Sequence, residues 1–163
     1  MPTACALAIC LHLVNVSSAP PALVADAARE MTATYEAIGV PVRWTDDEGA
    51  LTLVLRDDEP GMLRHTALPV LGVAIHAAQG SPVAYVFYHR AAEQADRYRI
   101  PAASVVAATM AHEVGHLVLP STEHAPRGLM RSCWEYEEFV DAARGDLRFS
   151  AEQAASIRAQ VMR

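Results

Sequence analysis

The sequence predicts an α+β fold: a small twisted mixed sheet of about five strands with a long apolar helix, a backing helix and C-terminal helices. Three observations predict it. Short runs of alternating or continuous apolar character recur through the first ninety residues, bounded by turn residues. A helical stripe separates the first two of these runs. A nineteen-residue apolar stretch, Pro101 to Leu119, then follows them.

The first strand is expected over about residues 5 to 16. Its apolar run invites a signal-peptide reading, but no Lys or Arg precedes it and His12 interrupts it. The compartment stays open: secreted or periplasmic if an upstream signal has been removed, otherwise cytoplasmic. No segment reaches the length of a membrane span. From Ala22 to Ile38, Leu23, Ala27, Met31, Tyr35 and Ile38 form one helical stripe, with Gly39 as a stop. Val40 to Trp44 is a second strand, which suggests a right-handed βαβ unit. Ala50 to Arg56 alternates as a third strand.

Asp57 to Pro69 reads as loop, punctuated by Pro60 and Gly61. Asp46, Asp47, Asp57 and Asp58 lack the spacing of a calcium loop and read as solvated turns. Leu71 to Ala77 and Pro82 to His89 are two more strands, a hairpin or neighbours. His76 and His89 have no histidine four residues away and are expected to be structural or exposed. Arg90 to Arg99 is a polar helical segment. After residue 130, Glu135 to Arg144 and Ser150 to Met162 read as closing helices, the second with a Ser150–Gln153 capping box. The acids at 135, 137 and 138 read as a solvated face near a helix start.

At 163 residues the chain is expected to be one domain, 1–163, and a monomer. Its formal net charge is −6, and all 13 basic residues are Arg. That balance argues against nucleic acid or an anionic membrane as partner. Cys5, Cys10 and Cys133 fit no metal-binding spacing. Cys5 and Cys10, an odd number apart on one strand, would face opposite ways; at most one disulfide is possible, and free buried thiols are expected.

The chemistry concentrates in Ala111 to Met130, AHEVGHLVLPSTEHAPRGLM. His112 and His116, four apart on a helix, can aim two imidazoles at one point, as a tetrahedral metal requires. Glu113 sits beside them, where a carboxylate can take a proton from water held at the metal. Pro101 suits the start of this helix and Pro120 ends it. An apolar helix carrying two His and one Glu near its C-terminus is the active-site helix; structural histidines in a core helix are the alternative. A catalytic zinc takes three protein ligands, and His124, on the loop beyond Pro120, is the nearest candidate. Glu135 or a neighbouring acid, Glu123, or no third protein ligand are the alternatives.

These residues resemble the metzincin-type zinc metallopeptidases, with H-E-x-x-H-x-x-G-x-x-H and a following methionine turn. The resemblance covers residues 101 to 134, and HE-x-GH with a delayed His and G-L-M-R is similar to small bacterial peptidase-like proteins. It implies His112, His116 and His124 as zinc ligands, Glu113 as general base, Met130 as turn methionine, and a peptide or protein substrate. It also implies that the strand LGVAIHA binds extended peptide along its edge. Two positions depart from the pattern: Leu119 stands where the family has glycine, and Thr122 where it has the third ligand. A gluzincin-type site would instead draw its third ligand from Glu135, Glu137 or Glu138. A zinc-containing binding domain without proteolysis, or a non-peptide zinc amidase, are the readings from other classes.

Overall fold

A computed structural model describes residues 7–61, 70–76 and 80–162. Its five strands are β1 (Ile9–Asn15), β2 (Val42–Trp44), β3 (Leu51–Arg56), β4 (Gly72–Ile75) and β5 (Val83–Phe87). They form one sheet in the order β2-β1-β3-β5-β4. β1 is parallel to β2 and β3, β3 is parallel to β5, and only β4 runs antiparallel, along the edge. The helices are α1 (Pro21–Glu36), α2 (Tyr88–Tyr98), α3 (Ala102–Val118), α4 (Tyr136–Arg144) and α5 (Ala151–Val161). The mixed five-strand sheet with five helices is the α+β class expected.

Parallel neighbours need a long crossover, and α1 provides it between β1 and β2. α1 buries Val24, Ala27, Met31 and Tyr35. Leu23 and Ile38, expected in the stripe, are only half-buried, and Val24 takes the inner place. α1 packs along α3, and the fully buried Tyr35 donates its hydroxyl to Ala111 O at 2.9 Å. Burial holds the Tyr35 pKa well above its ordinary value, so the hydroxyl remains a donor at any working pH. Tyr35→Phe removes only that bond and is expected to cost about 1 kcal/mol. That corresponds to a Tm lower by about 2–4 °C in a scanning calorimeter; an unchanged Tm would mean the bond contributes nothing.

α3 is the centre of the molecule. Every residue from Ser104 to His116 is buried, enclosed by β4 and β5 on one side and by the other four helices elsewhere. Arg99 ends α2 in the left-handed region, φ 55°, and Pro101 is the N-cap of α3 rather than its first residue. Two capping boxes close the chain: Ser150 with Gln153, as expected, and Glu135 with Glu138, where only a solvated acidic face is expected from sequence.

The cysteine expectation is corrected. β1 begins at Ile9, after a turn at residues 7–8, so the alternation argument that sets Cys5 against Cys10 on one strand does not apply. Cys10 is disulfide-bonded, Cys133 is free and exposed rather than buried, and Cys5 lies outside the described residues. Asp57 does more than face solvent in its turn, because Ser18 donates to its Oδ1 from both N–H and hydroxyl, each at 2.8 Å. The N–H bond is the main reason its carboxyl sits below the usual range. Among the described residues no helix is long and apolar enough to cross a membrane.

Candidate metal centre

The i, i+4 spacing on α3 brings the His112 and His116 rings together, with Nε2 to Nε2 at 3.0 Å. His124, exposed on the loop after α3, turns back so that its Nε2 lies 3.1 Å from His116 Nε2. The three form the one group among the described residues whose ligand atoms converge, all within 4.8 Å of one another. His112 donates Nδ1–H to Leu129 O at 2.7 Å, which leaves its Nε2 with a lone pair facing the other two. Lone pairs so arranged repel unless a cation lies between them. Tetrahedral zinc with nitrogens 2.0–2.1 Å away spaces its ligands about 3.3 Å apart, so the donor set fits zinc.

Ligation needs neutral imidazole. Burial lowers the His112 pKa to about 4, despite the bond to Leu129. Burial, with His124 and His76 nearby, lowers His116 to about 4 as well.

The chain after α3 supports this arrangement from behind. Ala125 N donates to Met130 O at 2.8 Å, and Ala125 bridges Arg131, which fixes the loop next to His124. Leu129 O, already bonded to His112, also accepts Trp134 Nε1–H at 3.2 Å, and the Trp134 ring meets His112 edge-on. Met130 is fully buried and lies under the helix against Gly115. A Cβ at Gly115 would stand 2.8 Å from Met130 Sδ and 3.1 Å from Phe149 Cε1. The glycine of HEVGH is therefore there for close packing, and its occurrence inside an apolar helix is the sequence signal for that.

Glu113 points toward β4. A Cβ at Gly72 would come within 2.8 Å of Glu113 Cγ and 2.9 Å of Oε1, so the bare backbone of the edge strand is what leaves room for this side chain. Burial pushes the Glu113 pKa up to about 8 in the metal-free protein. The shifts at this centre have opposite consequences for stability. From pH 6.5 down to about 4, the unfolded chain takes up protons at His112 and His116 that the folded state refuses, so stability falls with acid. From 4.5 up to about 8, folded Glu113 keeps a proton that the unfolded chain has lost, so stability falls with base. Two histidines outweigh one carboxyl below 6.5. The Tm of zinc-stripped protein is therefore expected to peak near pH 6.5, and Glu113→Gln to flatten the alkaline side. A wild-type Tm still rising through pH 8 would contradict the buried neutral carboxyl.

Two of the acids that could have served as a third ligand, Glu135 and Glu138, are engaged elsewhere. Glu135 is exposed and pairs with Arg131. Glu138 accepts from Arg131 Nη1 at 2.8 Å and from Glu135 N at 2.8 Å. Burial alone would raise the Glu138 pKa, but these bonds hold it below the usual range. Glu123 is exposed on the loop, its N–H bonded to Ser121 Oγ. His89 is exposed beside Asp57 and Asp58. His76, also exposed, donates Nε2–H to His116 O at 2.9 Å. Sequence reasoning missed the parts played by Gly72, Gly115, Trp134 and the Leu129 carbonyl.

No protein-family model matches the sequence, and no curated protein matches it. By structure the chain is similar to the crystal structure of a zinc-dependent peptidase from Methanocorpusculum labreanum. The two are 18% identical, the likeness covers 90% of this chain and 99% of that one, and the TM-score is 0.59. At that identity the shared feature is the fold: a mixed sheet over a central helix.

Proposed function

We propose that this chain is a zinc-dependent metallopeptidase of metzincin type, an endopeptidase acting on peptide or protein substrates as a single-domain monomer. One observation carries the proposal: three imidazole Nε2 atoms converge, and the helix that holds two of them also carries a buried glutamate, Glu113. The fold shared with a zinc-dependent peptidase supports it.

His112, His116 and His124 would hold the zinc, each neutral and contributing Nε2. When bound, zinc supplies Lewis-acid chemistry, acidifying water and polarising a carbonyl oxygen. Glu113 is the general base: a carboxylate oxygen takes the proton of the attacking water and delivers it to the leaving amine nitrogen. Gly72 and the enclosing core keep Glu113 away from bulk water, which strengthens that proton transfer. β4 is an antiparallel edge whose outer side, among the described residues, no other strand pairs, and it is suited to pairing with an extended peptide. Met130, under Gly115, is the turn methionine and supports the floor of the site without touching substrate.

A retained base beside the imidazoles favours hydrolysis over a pure zinc-binding role. Glu135 and Glu138, tied to Arg131, give no support to a glutamate-ligand site. A peptide-library digest tests the reading: zinc-loaded protein should cleave internal peptide bonds and stripped protein should not. Cleavage of simple amides but of no peptide would replace it with the amidase reading.

A further inference from the structure

We propose that His76 is a positioning residue that docks the far end of β4 onto the metal helix, setting the height at which an extended peptide lies; this rests on the peptidase reading above. The need for it originates at Pro120. In an α-helix the carbonyl of His116 would accept the N–H of residue 120, and proline has none. The last helical bond nearby is Leu119 N to Gly115 O at 2.9 Å. His76 Nε2–H, forty residues away in sequence, supplies the missing donor at 2.9 Å. Its ring nitrogen is thus committed to a backbone carbonyl, and the side chain acts through the strand it terminates.

The start of β4 is well fastened. Phe87 N donates to Leu71 O at 2.8 Å, Arg90 Nη1 donates to Val70 O at 2.7 Å, and Gly72 rests against Glu113. At the other end, among the described residues, pairing with β5 stops at Ile75–Val83, and His76 is the next residue. Its bond ties that end to α3, and it falls on the backbone of a proposed ligand. Without it, the outer edge of β4 keeps its hydrogen-bonding groups but loses its fixed distance from the three imidazoles.

The test compares wild type with His76→Ala and His76→Gln, all zinc-loaded, in peptide hydrolysis and amide hydrogen exchange. Gln carries an N–H donor at the same reach as His Nε2. His76→Ala is expected to raise KM about three- to tenfold with a smaller change in kcat, and to keep its zinc. Amides of β4 and β5 should exchange faster by a similar factor while those of α3 stay unchanged, and His76→Gln should restore both. Unchanged KM and unchanged exchange in His76→Ala overturn the proposal. So does loss of zinc with β4 exchange intact, since His76 would then serve the metal. If wild type cleaves no peptide, the peptidase reading fails, and the exchange comparison alone decides whether His76 docks the strand.

Discussion

Glu113→Gln is expected to retain stoichiometric zinc and lose peptidase activity by about 10²- to 10⁴-fold in kcat, the range for removing a general base. Gln preserves the shape that fits against Gly72 and removes only the ability to accept and release a proton. The side chain is buried, and in the metal-free protein its carboxyl is held neutral up to about pH 8. With a divalent cation bound beside it the group ionises more easily. The substitution thus separates chemistry from structure. Zinc by elemental analysis should match wild type while turnover disappears. Full activity in this variant would remove Glu113 from the mechanism.

The second large effect is expected from His124→Ala. His112 and His116 lie in the core on a fixed helix, but His124 is exposed on the loop after Pro120. Its removal should therefore leave the metal-free fold untouched while lowering zinc affinity more than about 100-fold, beyond what losing a supporting hydrogen bond costs. Titration with a competing chelator measures this directly, and activity at limiting zinc should vanish in parallel. Near-normal affinity in the variant would mean that two helix histidines and another donor hold the metal. By contrast, His112→Ala disturbs a buried position and its bond to Leu129, so its result mixes packing with ligation.

Much of the architecture is legible in the chain because it is written in local periodicity. The runs in the first ninety residues and the helical stripe locate every strand and α1 to within a few residues, which is the uncertainty of such boundaries anyway. The pairing of His112 with His116 follows from spacing alone, because helix geometry fixes it. His124 is reached by counting ligands, and its distance to His116 depends on how the loop folds back. What stays hidden is set by contacts distant in sequence. Nothing near Gly72 signals that it will lie against Glu113, and nothing near His76 names the His116 carbonyl as its partner. Pro120, four residues after His116, does announce an orphaned carbonyl, but not which side chain will reach it. The Arg131–Glu138 pair and the Glu135 cap escape a sequence reading because acids near a helix start usually face water. The disulfide at Cys10 escapes it because the apolar run extends further toward the N-terminus than β1 itself does.

The enclosure of α3 bears on how the protein matures. Every position from Ser104 to His116 is covered by sheet and helices, and the covering side chains are apolar. On the zinc reading, the ion would thus not be the nucleus around which the chain collapses, unlike a zinc finger, whose folding energy comes from its ion. The polypeptide would reach its native shape first, and the ion would then enter a finished socket from the side where His124 meets solvent. On that reading newly made protein would persist as a folded, inactive form until zinc arrives, and metal supply rather than folding would time its activation.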